Sequence, residues 1–125
     1  MPTRHNAHPY ILAVDDENDL LMLLKKSLVS LGFEVATMLN ADNLWATLQI
    51  KHPDLIFLDI QMNGINGGEI CTLLKKDPST ATIPVVILSA SHNIAEVAKT
   101  CGADGFVSKP YSTEKIVTEI KRLIP

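Results

Sequence analysis

Three short runs in this chain are apolar at nearly every position: YILAV at 10–14, LIFL at 55–58 and PVVIL at 84–88. A strand with one wet face alternates apolar and polar residues, so a run with no alternation is buried on both faces. The proline of the third run stands at its first position, where a missing N–H is tolerated. Such strands need a parallel sheet with helices on either side, and the segments between them read as helices. Leu20, Leu24, Leu28 and Leu31 fall at i, i+4, i+8 and i+11, and Gly32 follows where a left-handed cap is needed. Asn40 is placed to cap a second helix carrying Leu44 and Leu48, which must stop before His52-Pro53. A third runs through Ile70, Cys71 and Leu74 to Asp77-Pro78, and a fourth over Ile94–Thr100 is closed by Gly102. A fifth carries Ile116, Val117, Ile120 and Leu123 after Ser112 as its cap.

With Phe33–Ala36 and Gly105–Val107 as the two remaining strands, five strands alternate with five helices. Short connections and right-handed crossovers make this an α/β doubly wound parallel sheet, the flavodoxin-like (βα)5 arrangement with strand order 2-1-3-4-5. At 125 residues the chain suffices for one such domain. It is read as a polar arm over residues 1–9 and a domain over 10–125. A formal charge of −3 gives no reason to expect direct nucleic-acid or anionic-membrane binding. The N-terminus lacks the apolar core of a signal peptide, and no stretch approaches the roughly 20 apolar residues that cross a bilayer. Two cysteines without CxxC spacing fit reduced core thiols and a cytoplasmic location.

In sheets of this kind ligands sit beyond the carboxyl ends of the strands, at the switch point between strands one and three. Strand one ends in Asp15 and Asp16, strand three in Asp59, strand four in Ser89 and Ser91, and strand five in Lys109. Three carboxylates brought together cannot all ionise beside a single lysine without a further cation. All-oxygen ligands favour Mg²⁺, and Mg²⁺ in turn points to phosphoryl chemistry. Asp59 then reads as a nucleophile forming an acyl phosphate, with Ser89 and Lys109 holding the oxygens of the arriving group. Singly each residue has a structural explanation, as a cap, a turn former or a solvated charge. Their placement at successive strand ends favours a site.

These segments resemble the response-regulator receiver domain of two-component systems, the CheY-like family, over about Tyr10 to Leu123. ILAVDDE resembles its acidic pair, DLIFLDIQM its phosphoacceptor strand, ILSAS its hydroxyl-bearing strand end, and GADGFVSKP its lysine-proline strand end. The resemblance implies that Asp59 takes a phosphoryl group from a histidine kinase or phosphotransfer protein. Mg²⁺ would be held by Asp15, Asp16, Asp59 and the backbone carbonyl of Gln61. A cis Lys109–Pro110 bond is implied, with Phe106 as the switch aromatic on a face made by helix four, strand five and helix five. The domain is then a self-dephosphorylating switch acting on a downstream protein or output domain, rather than a turnover enzyme. Leu20 and Leu23 on the first helix are candidates for the kinase-docking surface.

Where the family commonly has Met-Pro after this strand, the chain has Met62-Asn63-Gly64, so a looser loop is expected there. Three other readings compete with this one. A flavin-phosphate site is opposed by Asp15-Asp16-Glu17 after strand one. An aspartyl phosphatase is opposed by Gln61, where a second acid would be needed. A degenerate receiver acting only as an interaction module is opposed by the presence of Asp15, Asp16, Asp59, Ser89 and Lys109 together. His5 and His8 in the arm, His92 and Trp45 are read as incidental or structural.

Overall fold

A computed structural model describes residues 8–62 and 65–125; His5 and the expected looseness at Asn63-Gly64 lie outside the described residues. The strands are β1 (Tyr10–Val14), β2 (Glu34–Met38), β3 (Leu55–Asp59), β4 (Val85–Ser89) and β5 (Gly105–Ser108). The helices are α1 (Asn18–Ser30), α2 (Leu44–Ile50), α3 (Gly67–Lys76), α4 (Ile94–Cys101) and α5 (Thr113–Leu123). The sheet order is β2-β1-β3-β4-β5 with every pairing parallel. The doubly wound fold with order 2-1-3-4-5 is therefore the one the sequence implies.

Every residue of β1, β3 and β4 is buried, as their uniform apolarity requires, whereas edge strands β2 and β5 are partly open. Successive side chains divide the core into two layers. Leu12, Val14, Ile56, Leu58 and Ile87 pack beneath α2, α3 and α4. Ile11, Ala13, Leu55, Phe57 and Leu88 pack beneath α1 and α5. Sandwiching three central strands between helices removes most of their apolar surface from water, the dominant favourable term in such a domain.

Several local expectations change. The inward face of α1 is Leu21, Leu24 and Leu28; Leu20 is only half-buried and Leu31 is exposed. The stripe is rotated by one residue because Leu21, not Leu20, completes the i, i+3, i+7 set that meets the sheet. Helix α2 begins at Leu44, and Asn40 instead accepts a hydrogen bond from the Asp42 N–H in the preceding turn. Strand β2 is displaced to residues 34–38, drawn by its register with β1, where Tyr10 faces Glu34 and Val14 faces Met38. The caps at Gly102 (left-handed, φ 78°) and Ser112 (accepting from the Lys115 N–H) are as expected. His8 donates from Nδ1 to the Gly32 carbonyl, and the Pro9 carbonyl accepts from the Glu34 N–H.

Candidate functional site

Parallel strands that begin together end together, so β1, β3, β4 and β5 deliver their last residues to one edge. Asp15 follows β1, Asp59 and Ser89 close β3 and β4, and Lys109 follows β5. Backbone hydrogen bonds fix these termini: the Asp15 N–H to the Met38 carbonyl, Ile60 N–H to Leu88, and Lys109 N–H to Ser89, at 2.8–3.1 Å. Asp15, Asp59 and Ser89 are 0, 2 and 0% exposed. Buried carboxylates need compensation.

Lys109 supplies it. Its ammonium nitrogen lies 2.9 Å from Asp15 Oδ2, 2.8 Å from Glu17 Oε1 and 3.4 Å from Asp59 Oδ2. Burial is the largest influence on this ammonium and acts to lower its pKa. Its contacts with Glu17 and Asp15, with the Asp59 charge, outweigh that and hold it above the ordinary lysine value. The other carboxylate oxygens rest on local N–H donors, Asp15 Oδ1 on Glu17 and Asp59 Oδ1 on Gln61, each at 3.0 Å. Burial pushes the Asp59 carboxyl up; the Gln61 N–H opposes this, Asp15 adds to it, and Lys109 offsets part, leaving a pKa raised from 3.8 to about 6.

One ammonium among this many acids leaves the site short of positive charge. Carboxylate oxygens of Asp15, Asp16 and Glu17 lie within 4.8 Å of one another. Asp15 Oδ2 is buried and receives no hydrogen bond, its contact with Lys109 being one of charge without alignment. A buried carboxylate oxygen without a directed donor, beside further hard oxygen donors, fits a divalent cation such as Mg²⁺.

Ser89 and Lys109 stand at the same edge as the acids, as expected, and the Lys109–Pro110 bond is cis. The Ser89 hydroxyl, however, is engaged elsewhere: it donates to Gln61 Oε1 at 3.0 Å and accepts from the Ser91 N–H at 2.9 Å. Phe106 is 43% exposed on β5, and His92 is exposed beyond the rim. Of the proposed docking pair, Leu23 is 64% exposed while Leu20 is partly covered.

Three residues of the site carry little signal in the sequence. Glu17 completes the Lys109 cage, its only prior signal being a third acid in a row. The Tyr111 hydroxyl is buried without a partner, its pKa raised to about 12 first by burial and then by the Asp15 charge. Gly67, the first residue of α3, lies against β3: a Cβ there would stand 2.3 Å from the Asp59 carbonyl oxygen and 2.5 Å from Ile60 Cα. Asn66 holds that helix start in place, its side chain accepting from the N–H groups of Gly68 and Glu69.

Fold and site together define a doubly wound α/β domain with a partly buried acidic cluster and a lysine at its switch point. Residues 11–121 match the response regulator receiver domain, and the chain belongs to that family of two-component signal transduction proteins. The phosphate regulon transcriptional regulatory protein PhoB of Rhizobium meliloti (strain 1021) is 36% identical over 118 residues, 93% of this chain and 52% of that protein. The chain thus spans about half the length of that relative. Protein PilG of Pseudomonas aeruginosa is 28% identical over 117 residues, covering 92% of this chain and 87% of PilG. Among solved structures, the receiver domain of NtrX from Brucella abortus superposes with a TM-score of 0.81 at 33% identity, covering 91% and 97% of the two chains. The Vibrio cholerae chemotaxis protein CheY4 gives 0.84 at 25% identity, covering 94% and 99%. Receiver domains of response regulators are generally not turnover enzymes. No helix among the described residues is long and apolar enough to cross a membrane.

Proposed function

We propose that this domain is a phosphorylation switch in which Asp59 accepts a phosphoryl group from a phosphohistidine on a histidine kinase or phosphotransfer protein. The observation that carries the reading is the Asp59 carboxylate itself, buried at the end of β3, with Oδ1 anchored by Gln61 N–H and Oδ2 facing the Lys109 ammonium 3.4 Å away. An Asp59 oxygen attacks phosphorus while the P–N bond to the imidazole breaks. The bonding pair stays with that ring nitrogen, and the imidazole leaves neutral because its other ring nitrogen carries the proton. Lys109 then balances the oxygens of the new acyl phosphate, exchanging its present partners for them.

Asp15, Asp16, Asp59 and the Gln61 carbonyl would hold Mg²⁺, which when bound neutralises charge on the phosphoryl oxygens. Ser89 moves toward the modified aspartate, and Phe106, now half-exposed beside a groove formed with Lys115 and Thr118 of α5, turns inward to fill the space vacated. The face of α4, β5 and α5 would thereby report the charge state to a downstream protein or output domain. The partner kinase docks on α1, where Leu23, Met22 and Val29 are exposed together and Leu20 flanks them. A cytoplasmic location follows from that partnership.

The test is intact mass after incubation with Mg²⁺ and acetyl phosphate. A single phosphoryl adduct is expected on the wild type, absent without Mg²⁺ and absent from Asp59→Asn. No adduct, together with no beryllofluoride binding, would refute the switch and leave an interaction module on a receiver scaffold.

A further inference from the structure

Under the phosphoacceptor reading, on which this inference rests, the Ser89 hydroxyl has to meet the incoming group. A serine hydroxyl has one proton to donate. Here that proton goes to Gln61 Oε1, 3.0 Å away, while the oxygen accepts from the Ser91 N–H at 2.9 Å. The one proton that could meet a phosphoryl oxygen is thus committed before any phosphoryl group arrives.

We propose that the Gln61 side chain is a latch: it holds Ser89 in the resting state, and phosphorylation of Asp59 must break that hydrogen bond before Ser89 can reach the phosphoryl oxygens. The main chain of Gln61 is fixed independently, because its N–H is bound to Asp59 Oδ1 at 3.0 Å and it pairs with Asn66 across a short antiparallel ladder. Nucleophile and latch therefore sit two residues apart on one tethered segment, and any shift of Asp59 is transmitted directly to the residue holding Ser89. The open position also exists. Gln61 borders a groove of about 630 Å³ between α3 and α4, lined with Asn66, Glu69, Ser91, Asn93 and Glu96, where a released amide can swing and find new partners. Gln61 is exposed whereas Ser89 is fully buried, so the bond joins a solvent-facing side chain to a covered one. A bond with one wet partner is weak enough to be exchanged and directed enough to bias the resting state.

Gln61 is on this argument a positioning residue, acting through Ser89. Gln61→Met keeps the length and removes the acceptor oxygen. Initial rates of phosphoryl uptake would be followed by intact mass with Mg²⁺ and varied acetyl phosphate, for wild type, Gln61→Met, Ser89→Ala and the double variant. Releasing the latch should raise the maximal rate about three- to tenfold, the worth of one neutral hydrogen bond, with the half-saturating donor concentration unchanged. In the Ser89→Ala background the same substitution should have no effect. The Ser91 amide resonance of the resting protein, whose N–H is bound to Ser89, should move on Gln61→Met without any donor present. Equal or slower uptake by Gln61→Met, the same acceleration without the Ser89 hydroxyl, or an unmoved Ser91 resonance would each overturn the latch. A wild type that takes no phosphoryl group while Ser91 moves as expected would refute the phosphoacceptor reading and with it the latch's role, although the resting contact stands.

Discussion

Replacing Asp59, the proposed phosphoacceptor, should make the metal-free protein more stable. Asp59 is 2% exposed and its carboxyl is raised from 3.8 to about 6, with burial as the first cause. For an acid, a folded-state pKa above the unfolded one means that the native state binds more protons between the two values. Stability therefore falls as pH rises from about 4 through 6, and the full cost of the buried charge is present above about pH 7. At 1.36 kcal/mol per pKa unit that cost is on the order of 3 kcal/mol. The amide of an Asp59→Asn variant fits the same space, can accept from the Gln61 N–H, and removes the repulsion from Asp15. Urea unfolding in the presence of a chelator should show Asp59→Asn more stable than the wild type by roughly 1–3 kcal/mol at pH 7.5. The gap should shrink to about half near pH 5 and almost vanish near pH 4. Added Mg²⁺ should narrow it at pH 7.5, since a ligand that prefers the native wild type stabilises that form. A variant less stable than the wild type at pH 7.5, or a gap independent of pH, would refute the view that Asp59 is held in place at the expense of stability.

Gly67→Ala should displace the start of α3 from β3, because the added methyl would meet backbone 2.3 Å away rather than a movable side chain; a loss of about 1–3 kcal/mol or more in urea unfolding, with slower phosphoryl uptake, is expected. Asp104→Ala removes the acceptor of both the Val85 N–H (2.8 Å) and Lys75 Nζ (2.9 Å). Leaving the Val85 N–H unpaired at the start of a buried strand should lower stability by about 1–3 kcal/mol, read from the same transition. Leu23→Ala, on the outer side of α1, should slow phosphotransfer from the cognate kinase while leaving uptake from acetyl phosphate unchanged and stability within about 0.5 kcal/mol; equal loss with both donors would remove Leu23 from the docking surface.

The central strands were legible because their signal is unconditional: a run apolar on both faces has one stable environment, and β1 spans the residues Tyr10–Val14 that its apolar run marks. The elements that shifted are those with weaker local reasons to start or stop. Strand β2 is an edge strand with only Val35 fully covered, so pairing with β1 decides its extent. In α1 the five consecutive residues Leu20–Leu24 are all apolar, and a buried face cannot be phased from such an unbroken run. Leu20 and Leu21 compete for the sheet, and tertiary packing selects Leu21. Asn40 is a good cap in isolation, but its side chain closes a turn onto Asp42 instead.

The site residues were legible for a different reason. Strand ends in a parallel sheet are coplanar, so a polar residue at each end implies its neighbours at the others, and Asp15, Asp59, Ser89 and Lys109 could be brought together without knowing a single distance. What strand position does not specify is which hydroxyl or carboxylate pairs with which donor. Lys109 reaches three acids, and it takes Glu17, an exposed residue of the α1 entry, as closely as it takes buried Asp15, with Asp59 farther at 3.4 Å. Ser89 chooses between Asp59, at the end of the neighbouring strand, and Gln61, two residues further on, and takes Gln61. Asp59 Oδ2 faces Lys109 and Oδ1 accepts from the Gln61 N–H, and Ser89 places its one proton on the Gln61 amide oxygen instead. A phosphoryl group on Asp59 would compete for that proton under the proposed reaction, because its anionic oxygens accept more strongly than a neutral amide. The partners that sequence leaves unspecified are thus the ones the proposed reaction exchanges, and Ser89 and Lys109 can change allegiance while the strands that carry them stay still.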